Sequence, residues 1–443
     1  MRSLLLLLLA CDAGPHNAGA LDLPTEDSAH PSDSRPPEDS DPPADSPAVE
    51  TAEPDTGDSA APPVVEVETV PSAEDPSAWI FSADTIHVID IRLDEAAING
   101  LTADPYTYVD GELEFDGDKI TGVGVRLKGK IGSFRTLADK AAFKIDLDRE
   151  LKGREYYGIK KFNLNNMSVD CSYMKEHLGY RVLADQGVPA LRTGWAWVTV
   201  NGSDYGLYNL LEHPDGDFLR QNYEDPSGNL YDGKYVWYGG YSYTLLDFYT
   251  SVQDLYTLEE GTDVSHVDIH NVTAAIDASA GTSSYYSTLG AYVDWDQVLA
   301  YLAWEQWVGH NDGYSLNTNN NFLYFDADDG KMEILPWDLD YAFLEDYQWG
   351  MNWATPRGRL AYYCMNDGGD CHAAWKAHAQ DLVNTYDAAA YTALLDEIAL
   401  VTADAIADDP RRECSAESVV AAQAAMYTWV STRPDYLRSW WGL

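Results

Sequence analysis

The chain has 443 residues and a formal net charge of −45, from 73 acidic and 28 basic residues. A surface this acidic disfavours nucleic acid and anionic lipid as partners. It suits a basic peptide or a cationic small molecule, although general solubility or adaptation to salt explains the charge more simply.

The first eleven residues, MRSLLLLLLAC, combine one Arg with a leucine run that is too short to span a bilayer. They predict a signal peptide over residues 1–10. The small residue before Cys11 resembles the lipobox of bacterial lipoproteins, which implies cleavage before Cys11 and a lipid anchor on it. The alternative is an ordinary signal peptide with an incidental Cys. We therefore expect export to the cell envelope, with a lipid-anchored domain that is periplasmic or exposed at the surface.

Residues 11–76 differ in composition from the rest. From residue 12 onward this segment holds 17 acidic residues, one Arg and no aromatic residue. Such a composition cannot bury enough apolar surface to offset chain entropy, so we expect a disordered, extended tether. Removing residues 1–76, whose net charge is −15, leaves about −30 on residues 77–443, which we interpret as one large folded domain.

Residues 78–150 alternate between apolar and polar side chains as strands do, which predicts an antiparallel sheet with hairpins. The clearest runs are residues 85–91, 122–129 and 142–147. Two further strands, residues 194–200 and 206–211, flank the hairpin signal Asn201-Gly202.

Residues 171–186 have helical periodicity, and Gly187 followed by Pro189 ends the predicted helix. From about residue 294 the patterns are mainly helical, and the longest lie in residues 294–308 and 391–441.

This order predicts an α+β protein with a β-rich N-terminal lobe over about 77–213 and a mainly helical C-terminal lobe over about 214–443. Protein kinases have the same order, and their nucleotide binds between the lobes. Residues 234–292 carry no usable motif, and we expect an insertion or a substrate-facing region there.

Four cysteines beyond Cys11 fit an oxidising compartment. Cys364 and Cys371 flank a Gly-Gly turn and form the natural close pair, which leaves Cys171 with Cys414. A zinc site is disfavoured because no CxxC occurs and the histidines are scattered.

The segment from residue 311 to residue 340 contains the candidate catalytic and metal-binding residues. Asp312, the amides of Asn319 and Asn320, and Asp338 supply a carboxylate that can accept a hydroxyl proton and oxygen ligands suited to Mg²⁺. Asp and Asn are also common in turns, and residues 326–330 (DADDG) predict a hairpin turn. Asp338 and Asp340, however, follow an apolar strand, where unpaired carboxylates need a partner such as a metal ion.

Several further motifs follow one another between about residue 79 and residue 345. They are Arg126-Leu127-Lys128-Gly129, Lys140 and Lys144 in KAAFK, Met174-Lys175-Glu176-His177-Leu178, Asp185-Gln186-Gly187-Val188-Pro189, Asn201-Gly202 with Tyr205-Gly206-Leu207-Tyr208, Gly228-Asn229-Leu230-Tyr231, Asn319-Asn320 with Leu323-Tyr324, and Pro336-Trp337-Asp338-Leu339-Asp340. In this order they resemble the CotH family of secretory, atypical protein kinases. Two features depart from the family pattern: Asp312 follows Asn311 directly, and Lys130-Ile131-Gly132-Ser133 replaces the usual polar motif after Gly129.

The resemblance implies a two-lobed, atypical protein-kinase-like fold that uses ATP with Mg²⁺ or Mn²⁺. In it, Asp312 is the catalytic residue that receives the hydroxyl proton. Asn320, with Asn319 as the alternative, and Asp338 bind the metal.

The resemblance also implies a lysine that binds the nucleotide phosphates. Lys144 is the preferred residue, positioned by Glu176, and Lys128 and Lys130 are nearby alternatives. Glu212, at a strand end where the lobes join, either lines the nucleotide pocket or is a surface residue.

The function implied is an exported, membrane-tethered protein kinase that transfers the γ-phosphoryl group of ATP to hydroxyl side chains of surface or secreted proteins. A catalytically silent binding or structural lipoprotein is the alternative. A metal-dependent hydrolase is a third hypothesis, suggested only by His310 next to Asp312. The sequence does not indicate the oligomeric state.

Overall fold

The computed structural model describes residues 75–238, 242–344, 352–366 and 369–443. The described residues begin at residue 75, so they exclude the predicted signal peptide, Cys11 and nearly all of the acidic tether. The signal peptide, the lipid anchor and the disordered tether therefore remain predictions. Among the described helices, none is both long enough and apolar enough to cross a membrane.

Seven strands of the N-terminal lobe close into a barrel. They are β1 (Ile86–Arg92), β2 (Val109–Phe115), β3 (Asp118–Lys128), β4 (Ala142–Asp146), β5 (Lys161–Asn165), β6 (Thr193–Val200) and β7 (Ser203–Glu212). The order around the barrel is β1-β2-β3-β4-β5-β7-β6. Six neighbouring pairs are antiparallel, as expected, but β1 and β6 close the barrel in parallel. The alternation of side chains predicts strands but not this long-range pairing.

Two helices accompany the barrel. The predicted one is confirmed as α2 (Lys175–Asp185), and Gly187 follows it with a positive φ of 74°. The other, α1 (Glu95–Ala103), was not predicted, because it is short and lies within the strand-like region. Its start is nevertheless encoded locally, since the Asp94 side chain accepts the Ala97 N–H.

The C-terminal lobe is mainly helical around a small sheet. Its strands are β8 (Asn229–Asp232), β9 (Val236–Tyr238), β10 (Ser242–Thr244), β11 (Thr257–Glu260), β12 (Asn321–Phe325) and β13 (Met332–Pro336). Its helices are α3 (Gly216–Asn222), α4 (Val267–Ser279), α5 (Tyr285–Leu289), α6 (Trp295–Val308), α7 (Tyr314–Asn317), α8 (Arg359–Asn366), α9 (Asp370–Thr385), α10 (Ala388–Asp408) and α11 (Ala416–Trp441). The main sheet has the order β11-β8-β12-β13, and β12 and β13 form the hairpin predicted at residues 326–330.

Each lobe has its own hydrophobic core. Phe115, Phe143 and Phe162 lie inside the barrel. Trp304 and Trp307 lie in the core of the C-terminal lobe, which also takes the apolar face of α2. The α+β class, with a β-rich N-terminal lobe and a mainly helical C-terminal lobe, is therefore confirmed.

Two disulfides join the pairs expected from the sequence. Cys364–Cys371 closes a short loop between α8 and α9, and Cys171–Cys414 spans 243 residues. Near the long-range disulfide, the buried Lys140 ammonium donates to Asp409, whose carboxylate also accepts the Leu207 N–H. These contacts fasten the barrel to the C-terminal helices.

We predict that replacing Cys171 and Cys414 together by Ala lowers the free energy of unfolding by about 2–5 kcal/mol, because the disulfide restricts a long loop of the unfolded chain. The matched control is the Cys364→Ala/Cys371→Ala variant, whose shorter loop predicts a smaller loss. Denaturant titration of both variants measures the difference. An equal or larger loss in the short-loop variant would contradict the loop-length explanation.

Candidate active site

A cleft lies where the barrel meets α2 and the segment after β13. It is lined by Lys128, Gly129, Ser133, Ala142, residues 165–170, Glu176, Asp338 and Asp340. The cleft thus brings together three of the predicted site residues, Lys128, Glu176 and Asp338. Ser133, in the loop that departs from the family pattern, also reaches it.

Asp312 lies between α6 and α7 and accepts hydrogen bonds from three amides. The Nδ2 atoms of Asn317, Asn319 and Asn320 are 2.5, 3.3 and 3.0 Å from its carboxylate oxygens. The pKa of Asp312 is raised to about 6, mainly by burial and also by the Asp338 charge, while the three amide donors act in the opposite direction. The carboxylate is therefore fixed in orientation, close to Asp338, and more basic than an ordinary Asp.

The loop that carries Asp312 is anchored by Glu305, a fully buried residue of α6. Its two carboxylate oxygens lie 3.0 and 3.1 Å from the Ser315 N–H nitrogen, and Oε1 also accepts the Tyr301 hydroxyl at 3.2 Å. A Cβ atom at Gly313 would lie 2.2 Å from Glu305 Oε1, so only glycine fits there. Glu305 thereby fixes the backbone directly after Asp312.

Asp338 and Asp340 form a carboxylate pair at the end of β13. Asp338 has a positive φ of 51°, a conformation that Asp tolerates better than most residues. Asp340 is hydrogen-bonded to Asp338, and its pKa is well above the usual value because of burial and then the Asp338 charge. Lys175 on α2 donates to the Asp340 carbonyl oxygen at 2.5 Å.

A chain of hydrogen bonds links Lys128 to Glu176 across the cleft. Lys128 Nζ donates to Asn165 Oδ1, and Asn165 Nδ2 donates to both Glu176 oxygens at 3.0 and 2.9 Å. Burial and then the Asp338 charge raise the pKa of Glu176 to about 7, while Lys128 acts in the opposite direction. The lysine that faces Glu176 is therefore Lys128.

The preferred pairing of Lys144 with Glu176 is not found. Strand register places Lys144 opposite Arg126 and Asn163, and the nearby carboxylate that acts on its pKa is Glu259. Lys144 does not line the Asp338 cleft. The sequence showed that the lysines lie on strands, but it could not show which of them the register brings to α2.

Glu212 is buried, so the surface alternative is wrong. Both of its oxygens are bound by Arg192, which donates from its backbone N–H and its guanidinium, and Arg192 also binds Asp75 at 2.7 Å. Glu212 does not line the Asp338 cleft either.

His310 is also buried, and its Nε2 atom lies 3.3 Å from the Trp337 carbonyl oxygen. Burial lowers the pKa of His310 to about 4. These contacts make it a structural neighbour of Asp338.

In the part of the chain that the structure describes, no three His, Cys, Asp or Glu side chains group closely enough to hold a metal ion. The predicted ligands Asp338, Asn319 and Asn320 nevertheless suit Mg²⁺ or Mn²⁺ once Asp340 is added, because two carboxylates are then combined with asparagine amides. The Asp338 charge raises the pKa of Asp340, and a divalent cation between the two carboxylates would relieve their repulsion. Asn319 and Asn320 donate through Nδ2 to Asp312, which leaves the Oδ1 atom of each amide suited to a cation.

Sequence reasoning missed Asn165 and Glu305, and the family resemblance gave no role to Asn317 or Asp340. Asn165 alternates with Asn163 along KFNLN, a polar face that could have been noticed. Asp340 stands two residues after Asp338 in a motif that was already identified. Glu305 gave no signal, because a single Glu in an apolar helix does not show what it contacts.

Residues 125–437 match the family model described as CotH kinase protein, which is well over half of the chain. The chain therefore belongs to the CotH kinase protein family, as the motifs indicated.

Two curated relatives are spore coat proteins. Inner spore coat protein H of Bacillus subtilis (strain 168) is 24% identical over 200 residues, 44% of this chain and 52% of that protein. Spore coat protein homolog 1 of Rhizopus delemar is 24% identical over 190 residues, 41% of this chain and 30% of that protein. The chain thus spans about half the length of the first relative and less of the second.

Two solved structures show low overall similarity to this chain. The Helicobacter pylori proinflammatory kinase CtkA has a TM-score of 0.33 and 9% identity, covering 71% of this chain and 95% of that chain. HipA of the Shewanella oneidensis MR-1 toxin–antitoxin system, solved with HipB and operator DNA, has a TM-score of 0.31 and 12% identity, covering 78% of this chain and 71% of that chain.

We predict that Glu305→Ala lowers the free energy of unfolding by about 1–3 kcal/mol, because the Ser315 N–H and the Tyr301 hydroxyl lose a buried acceptor. The Ser315 amide should also exchange faster in native-state hydrogen exchange. Glu305→Gln is the control, since it keeps one acceptor oxygen in nearly the same shape. Unchanged exchange at Ser315 in Glu305→Ala would contradict the anchoring role.

Proposed function

We propose that this chain is an exported, ATP-dependent protein kinase that transfers the γ-phosphoryl group to hydroxyl side chains of surface or secreted proteins. The observation that carries the proposal is the arrangement of Asp312, held by three amides, close to the Asp338–Asp340 pair. Family membership supports the class of reaction, and the two disulfides fit an exported protein.

Asp312 accepts the proton of the attacking hydroxyl. Three amide donors fix its orientation, so little reorganisation is needed when the hydroxyl arrives. The Glu305 anchor keeps the loop in place at the same time. Asp312 therefore acts as a positioned base whose geometry is set before the substrate binds.

Asp338, Asp340 and Asn320, with Asn319 as the alternative, would hold the divalent cation. When bound, the cation neutralises charge on the nucleotide phosphates. Lys128 binds a phosphate oxygen, and the chain through Asn165 to Glu176 keeps its ammonium directed into the cleft. These assignments replace Lys144 by Lys128 as the lysine of the transfer site.

The decisive assay measures transfer from [γ-³²P]ATP with Mg²⁺ by the full chain and its Asp312→Asn variant, with dephosphorylated casein and the chain itself as acceptors. We expect Asp312→Asn to lose about 10²–10⁴-fold in transfer rate while it binds ATP nearly as well as the parent. Asp328→Asn, an exposed Asp in the β12–β13 turn, is the control and should keep full activity. Transfer at the parent rate by Asp312→Asn would show that the base is wrongly assigned.

We predict that Lys128→Met weakens Mg²⁺-dependent ATP binding by about tenfold or more, because a hydrogen bond between charged groups is lost. Lys119→Met, on an exposed position of the same strand, is the matched control. Isothermal titration calorimetry measures both affinities. Equal ATP affinity in Lys128→Met and the parent would exclude Lys128 from the phosphate site.

A further inference from the structure

The Asp338 cleft is bordered on its barrel side by residues 129–135, which are called the cleft loop below. Two residues of this loop, Gly129 and Ser133, line the cleft. Gly132 has a positive φ of 89°, and a Cβ atom there would lie 2.6 Å from the hydroxyl oxygen of Tyr341. Because Tyr341 directly follows the carboxylate pair, the cleft loop packs against the segment that carries the predicted metal ligands.

Arg135, the last residue of the cleft loop, joins it to the C-terminal lobe. The guanidinium donates to both carboxylate oxygens of Glu413, at 2.5 and 2.6 Å. It also donates to the carbonyl oxygens of Gly132 and Phe134, at 3.0 and 2.8 Å. An ion pair with this degree of exposure contributes little by itself, so it can fix the loop only where Glu413 is itself held in place. Glu413 is followed directly by Cys414, one half of the long-range disulfide.

The other half of the disulfide lies at the start of α2. Cys171 follows Asp170, a buried residue that lines the cleft. The Asp170 carboxylate accepts the N–H groups of Met174 and Lys175, each at 3.1 Å, where the helix begins and leaves such groups without a helical partner. The next residue of α2 is Glu176. One covalent bond therefore borders both the cleft loop and the start of the helix that carries Glu176.

Other contacts join the two lobes in this region without the disulfide. The buried Lys140 ammonium pairs with Asp409, and the guanidinium of Arg411 lies 3.5 Å from the centroid of the Tyr205 ring. We therefore expect the lobes to stay joined when the disulfide is broken, while the residues next to Cys414 gain freedom. Reduction should loosen the border of the cleft and leave the fold in place.

We propose that the Cys171–Cys414 disulfide is a redox switch that keeps the Asp338 cleft ordered. A dithiol reductant breaks the S–S bond: each cysteine sulfur gains one electron and one proton, and the reductant is oxidised to a disulfide. Cys171 is only half-buried, which gives the reductant access. Glu413 then no longer holds Arg135 in place, and the cleft loop and the start of α2 become mobile.

The switch deepens the proposed function and rests on it for the identity of the ligand. A chain in a reducing compartment would bind ATP weakly, and the same chain would bind it tightly once oxidised after export. The kinase would thus remain inactive towards proteins inside the cell in which it is made. The loosening of the cleft on reduction does not depend on which ligand the cleft binds.

Equilibrium dialysis of radiolabelled ATP with Mg²⁺ tests the switch on the full chain, before and after treatment with dithiothreitol. We expect reduction to weaken ATP binding by about tenfold or more, because only chains with an ordered cleft bind. The matched control is the Cys364→Ala/Cys371→Ala variant, which lacks the other disulfide and should respond to dithiothreitol as the parent does. Equal ATP affinity in the oxidised and reduced parent, or a response that disappears in this control, would overturn the proposal.

The Arg135→Ala variant separates the switch from a general loss of stability, because it keeps the disulfide. In the oxidised chain it should weaken ATP binding by about threefold to tenfold. In the reduced chain it should cause no further loss, since the contact with Glu413 is already broken. Arg92→Ala removes an exposed ion pair with Glu114 on the barrel and should change neither affinity. Losses that multiply in the reduced Arg135→Ala chain would contradict the proposed route.

Hydrogen exchange measured by mass spectrometry needs no nucleotide, so it distinguishes failure of the switch from failure of the proposed function. Reduction should speed amide exchange in peptides that cover the cleft loop and residues 171–177, and it should leave the β12–β13 hairpin unchanged. If the oxidised chain binds no ATP, the proposed function fails, and this exchange difference alone decides on the switch. Unchanged exchange in both peptides, or unfolding of the whole chain on reduction, would overturn it.

Discussion

The site depends on the balance of charge around the Asp338–Asp340 pair. The Asp338 charge raises the pKa values of Asp340, Asp312 and Glu176. Four acids near one cleft repel each other unless cations intervene. Lys128 and Lys175 supply part of the compensation, and a divalent cation with its nucleotide would supply the rest. The repulsion among these acids is the property that would make the arrangement bind metal.

The scaffold around the cleft is held by contacts that span the sequence. The barrel supplies Lys128 and Asn165, α2 supplies Glu176, and the C-terminal lobe supplies the acids. The Cys171–Cys414 disulfide and the buried pair of Lys140 with Asp409 join these parts. Glu305 performs the equivalent task at close range, since it fixes the backbone after Asp312. Orientation in the site is thus set mainly by buried polar contacts.

Much of this architecture could be predicted from the sequence. The features that could not be predicted all depend on contacts between distant parts of the chain. Local signals gave the strands, α2, both hairpin turns and the close disulfide, because turn residues and periodicity act over a few positions. Asp312, Asn320 and Asp338 could be proposed as site residues because their motifs lie close together in the chain. The parallel closure of β1 on β6, and the choice of Lys128 over Lys144 beside Glu176, depend on long-range pairing and register. Asn165 was missed for the same reason, because its bridging role exists only once β3, β5 and α2 have come together.

The central claim is that Asp338 takes part in binding a divalent cation together with ATP. The most direct measurement is a thermal melt of the full chain with ATP and Mg²⁺ or Mn²⁺, with ATP and EDTA, and with metal alone, repeated on Asp338→Ala. The account predicts a rise in melting temperature that needs both metal and nucleotide and is absent in the variant. An equal rise in Asp338→Ala, or no rise in the parent chain with either metal, would contradict it.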